Sequence, residues 1–199
     1  MWLNVSDVVE KIKLNETPKT LYSKNIKAAD ETSTYMKPQP KILNLDSFYS
    51  DILKEDELGA TIRTHIYIES ALEQLIEILV SDYEHIKKMQ LDFSQKVNLA
   101  VAIGMPKEFA PALLAVGTIR NKFAHRIDTK IDKEKTNNLY KQFSPDQKSA
   151  IHVSFNNTLK NTPLGQVRNF SEITPKEQFA ILSVALVMQI LTLIQTHST

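Results

Sequence analysis

"RTHIYIESALEQLIEILV" (residues 63–80) is the stretch that decides the fold. Ile68, Ala71, Leu72, Leu75, Ile76 and Leu79 recur at spacings of three and four, the period that gathers side chains onto one face of an α-helix. Glu69, Glu73 and Glu77 fall on roughly the opposite side together with Ile62, Ile66 and Val80, so that second face is mixed rather than purely wet. The periodic pattern predicts one long helix from about Asp56 to His85.

Outward from this helix the chain keeps announcing helix ends. Downstream, Asp92 with Gln95 three residues later has the form of a capping box, and Gly104 followed by Pro106 stops one helix and starts another, running to His125. Ser144-Pro145-Asp146-Gln147 and Thr174-Pro175-Lys176-Glu177 share one signature: a hydroxyl cap, proline in the first turn, and Gln or Glu three after the cap. They predict helices over 145–160 and 175–196, joined by a surface loop. Upstream, short helices are expected at Ser6–Leu14 and over 44–54, separated by an extended arm marked by Pro38 and Pro40. With only four glycines and no alternating run bounded by turn dipeptides, strands have no foothold. The expected architecture is all-α: an N-terminal helical arm and linker over 1–55, then a single-domain helical bundle over 56–199.

Composition narrows the function classes. Lys and Arg total 24 against 23 Asp and Glu, a formal net charge of +1, so any polyanion site must be local. There is no cysteine, which removes disulfides, thiolate zinc sites and thiol nucleophiles. "MWLNVSDVVEKIKLNE" carries acids where a signal peptide needs a basic start, pointing to a cytoplasmic protein. The apolar run Phe179 to Ile194 falls short of the roughly 18–20 residues that span a bilayer and contains Gln189 and Thr192; it is expected to be a buried helix, with no membrane association.

The stretch with chemical potential is "TIRNKFAHR" (118–126). Phe109, Ala112, Leu113, Val116, Ile119 and Phe123 form one apolar stripe of its helix, and Arg120 falls on that stripe, where a cation needs an acceptor. Asn121 and His125 lie four apart on a neighbouring face, and His125 sits at the helix C-terminus, where cations are favoured. A guanidinium to hold a phosphate, an amide to orient it and an imidazole to move protons suit RNA cleavage through the ribose 2′-hydroxyl. Neither metal nor cofactor is required. Lys122, Arg126 and Lys130 add a local positive strip for RNA phosphates, interrupted by Asp128 and Asp132. A structural reading stands beside this one, in which Arg120 pairs with Glu69 or Glu73 from the packed neighbour helix. The Glu69, Glu73, Glu77 stripe lacks the Glu-x-x-His pairs of bundle metal sites, and there is no glycine-rich phosphate loop, HExxH or nucleophile elbow.

"IRNKFAH" resembles the arginine-to-histidine signature of the HEPN superfamily. The longer "DFSQKVNLAVAIGMPKEFAPALLAVGTIRNKFAH", with "RTHIYIESALEQLIEILV" upstream, is similar to its mannitol-repressor (MltR) branch. The resemblance implies an α-helical bundle, commonly a homodimer, whose two motifs face each other across the interface. In ribonuclease members this is a metal-independent endoribonuclease site, which carries over here to Arg120, Asn121 and His125; such a protein would be a toxin or defence effector, with an antitoxin as possible partner. The mannitol-repressor branch implies instead a non-catalytic transcriptional regulator or interaction module acting through protein partners.

Overall fold

Local capping chemistry sets where the helices begin. In the computed structural model, which describes residues 45–126, 128–160 and 169–198, the protein is all-α. The described residues contain no strand and eight α-helices: α1 (Leu45–Lys54), α2 (Glu57–Leu79), α3 (Tyr83–Lys88), α4 (Phe93–Ala102), α5 (Ala110–His125), α6 (Lys133–Lys141), α7 (Pro145–Lys160) and α8 (Pro175–Ser198). The helix expected at Ser6–Leu14 and the arm at Pro38 and Pro40 lie outside the described residues.

The capping box at Asp92 is present in full, with Gln95 N–H donating to Asp92 Oδ1 at 2.8 Å and Asp92 N–H donating to Gln95 Oε1 at 2.9 Å. Ser144 with Gln147 and Thr174 with Glu177 make the same reciprocal pairs at the starts of α7 and α8. Gly104 sits at φ +132°, which lets Met105 N–H reach back to Ala100 O at 2.8 Å and turns the Met105 side chain into the core. After Pro106 the chain makes a single 3₁₀ turn, Lys107–Phe109, before α5 starts at Ala110 rather than at the proline.

Two further helices differ from expectation. The helix predicted to reach His85 stops at Leu79, because Asp82 accepts the His85 N–H at 3.0 Å and starts α3 after an extended Val80. Helix α6 was not anticipated, and Asp132 caps it by accepting the Lys135 N–H at 2.8 Å.

Helices α2 and α8 form the centre of the bundle. α8 packs against α1, α2, α6 and α7, while α2 also carries α4 and α5 on its other side. Ile68, Leu72 and Leu75 of α2 meet Phe179, Leu182, Leu186 and Ile190 of α8 in one core, all essentially removed from water. Phe48 and Ile52 of α1 are fully buried there, Phe48 stacking on Tyr67 with ring centroids 4.2 Å apart, so residues 45–54 of the arm pack as part of the bundle. Two pairs of polar side chains meet across helices inside: Gln147 Nε2 donates to Gln189 Oε1 at 2.7 Å, and Thr136 Oγ1 donates to Gln178 Oε1 at 3.1 Å. Helix α8 is long and apolar enough over Pro175–His197 to cross a membrane by length and composition, beyond what the run Phe179 to Ile194 suggested; its apolar stretch is 67% buried inside the bundle.

Candidate functional site

The C-terminal turns of α5 are carried to the N-terminal half of α2 by the connection that follows them. Arg126 leaves the helix in an extended conformation (φ −144°, ψ 122°), and the Thr129 hydroxyl folds back to donate to Lys122 O at 3.3 Å. Ile131 is buried, and its N–H donates to Glu57 Oε2 at 2.7 Å, a bond that ties the segment to the first turn of α2. Ile119 and Phe123 anchor the last turns of α5 from inside. What remains outside is the motif.

Arg120 lies on the buried stripe of α5, yet its side chain is only half-buried. Its Nη1 donates to Asn121 Oδ1 at 2.9 Å, so the guanidinium is oriented by the neighbouring amide. Asn121, Lys122, His125, Arg126 and Lys130 are all exposed. The structure thus brings Arg120 and Asn121 into direct contact and places His125 one turn beyond Asn121 on the exposed side, hydrogen-bonded to neither.

Glu69 and Glu73 are not the partners of Arg120. Lys96, projecting from α4, places its Nζ 2.7 Å from Glu69 Oε1 and also hydrogen-bonds Glu73 Oε1. Burial works against the Lys96 ammonium, but its bonds to the two carboxylates outweigh that and raise its pKa. The physical reason for the correction is packing: α4 lies against α2 and delivers a cation to these carboxylates. Among the described residues Arg120 forms no ion pair.

One turn before Glu69 on α2 lies a buried histidine that the sequence reading did not single out. His65 of α2 is buried, with Nδ1 3.4 Å from Glu69 Oε2 and the Phe93 ring 4.5 Å away, centroid to centroid. Burial lowers its pKa, the charge of Arg120 lowers it further, Glu69 opposes, and Lys96 adds to the lowering. Phe93 fits there because residue 117 is glycine; a Cβ on Gly117 would lie 2.9 Å from Phe93 Cδ1. Two signals in the sequence point this way, a histidine four residues before a glutamate on one helix and an isolated glycine within a helical apolar run.

The arrangement offers a guanidinium that no carboxylate neutralises among the described residues, an amide holding it, and a solvent-facing imidazole flanked by cationic side chains. Compared with family models, curated proteins and solved structures, the chain matches none of them.

Proposed function

We propose that this protein is a HEPN-type, metal-independent endoribonuclease, a cytoplasmic toxin or defence effector, in which Arg120 and Asn121 hold the scissile phosphate and His125 transfers protons. The observation that carries the reading is the state of Arg120: half-exposed, steadied by Asn121, and without a carboxylate partner among the described residues. A guanidinium in that state suits a phosphate, which it meets with paired N–H donors. The alternative of a non-catalytic MltR-like regulator draws on a sealed Arg120–glutamate pair, and Lys96 occupies both candidate glutamates.

In the proposed reaction an imidazole takes the proton of the ribose 2′-hydroxyl as that oxygen attacks phosphorus. The bond to the 5′-oxygen breaks, and that oxygen receives a proton from a second acid. The products are a 2′,3′-cyclic phosphate and a 5′-hydroxyl. Arg120 stabilises the charge of the crowded phosphorane. A second copy of the chain supplies the other imidazole across a two-fold axis. Leu58, Ile62 and Ile66, exposed at four-residue spacing on the helix that packs against α5, support such a partner. Lys122, Arg126 and Lys130 then extend the positive surface along the RNA backbone.

Purified protein in a chelating buffer is expected to cut single-stranded RNA, with Arg120→Ala and His125→Ala each lowering the rate by at least about a hundredfold. Equal rates in wild type and His125→Ala would remove the imidazole from the mechanism. RNA left intact by all three proteins would return the motif to a structural role.

A further inference from the structure

The His65 imidazole, packed beneath Phe93, has no part in the chemistry above, yet one of its nitrogens lacks a partner. The residue is 4% exposed, and Nδ1 faces Glu69 Oε2 at 3.4 Å, a carboxylate neighbour that favours the tautomer protonated on Nδ1. Nε2 then presents a lone pair. That atom is sealed from solvent and has no hydrogen-bond partner among the described residues. A buried acceptor left unpaired is costly, so a donor is needed there in the working state of the site.

The surroundings narrow the choice of donor. Lys96 is committed to Glu69 and Glu73. The Phe93 ring bridges from His65 to Gly117 on α5, and Arg120 follows Gly117 by three residues on the same side of that helix. Arg120 has five N–H donors, of which the bond to Asn121 uses one.

We propose that His65 is a positioning residue for Arg120: in the working state the guanidinium, bonded through its side chain to Asn121 alone among the described residues of the structure, turns to donate an N–H to Nε2 of the neutral ring, whose proton is on Nδ1. With Asn121, it thereby fixes the plane in which Arg120 meets a phosphate. The catalytic consequence rests on the ribonuclease reading; the bond between the two side chains does not. A carboxylate in place of His65 would neutralise the guanidinium, whereas a neutral imidazole orients it and leaves its charge for the substrate.

Imidazole nitrogen NMR on the full chain tests the contact directly, with His65 assigned through its backbone connectivities. The expected spectrum has Nδ1 protonated and Nε2 unprotonated but hydrogen-bonded. Arg120→Ala shifts the Nε2 resonance toward that of a free acceptor, and His125→Ala leaves it in place. A proton on Nε2, or an Nε2 resonance indifferent to Arg120→Ala, overturns the proposal. In RNA cleavage, His65→Phe is expected to lower kcat by about a hundredfold at unchanged KM, the scale of a misplaced catalytic group. His65→Gln, whose amide oxygen can occupy the Nε2 position, rescues most of that loss. Equal kcat in the two variants at equal thermal stability contradicts the positioning role. Should the wild type cut no RNA, the ribonuclease reading fails while the nitrogen shifts still decide whether His65 holds Arg120.

Discussion

His65 has a pH signature whose sign follows from its surroundings. Burial, then the Arg120 charge, hold its folded pKa below the ordinary 6.5 against the pull of Glu69, with Lys96 adding to the effect. Well above pH 6.5 the imidazole is neutral in folded and unfolded chains alike and stability is insensitive to it. As pH falls below 6.5 the unfolded chain takes up a proton that the folded chain refuses, so stability drops until the folded histidine also titrates. Urea unfolding across that window should therefore show a shallower pH slope for His65→Gln than for wild type; identical slopes would mean that His65 is not held neutral. Lys96→Met tests the neighbouring network, since it leaves Glu69 and Glu73 unneutralised. The partly exposed cluster should lose about 1 kcal/mol of stability, and the His65 pKa, relieved of a nearby cation, should rise.

Between elements, the approach of α4 to α5 depends on Gly117. Glycine inside an exposed helix is usually improved by alanine, by about 1 kcal/mol. Here the new methyl group would meet the Phe93 ring, a contact the ring can relieve only by leaving its place over His65. Overpacking of this kind costs about 1–3 kcal/mol, so the net change for Gly117→Ala should be destabilising; a raised melting temperature would contradict the close approach. Asp92→Ala should cost about 1 kcal/mol by removing the cap of α4. These elements also show what the sequence makes legible. The caps at Asp92, Ser144 and Thr174 could be read because each is complete within four residues. Helix α6, "KEKTNNLYK", could not, since only Thr136 and Leu139 are fully buried and no apolar period marks it. Nor was the partner of Glu69 legible, because Lys96 lies 27 residues away and meets it only through helix packing. Arg120 could be singled out as an arginine on an apolar stripe, whereas its engagement with Asn121 instead of a carboxylate depended on which side chains the fold delivered.

The whole molecule is expected to be a two-fold dimer. Light scattering should return twice the 22.7 kDa of one chain, and Ile66→Glu, which charges an exposed apolar position on α2, should return the monomer mass. Wild type at the single-chain mass at micromolar concentration would remove the second imidazole. The monomeric variant should also lose cleavage while keeping its helical content, because the site then lacks its facing half. The most direct test of the central claim is end-group analysis of RNA incubated with wild type and with His125→Ala in chelating buffer. The expected result is 2′,3′-cyclic phosphate and 5′-hydroxyl ends from wild type, and no such ends from His125→Ala or from an all-2′-deoxy substrate. Intact RNA with wild type, or the same ends at the same rate from His125→Ala, would contradict it.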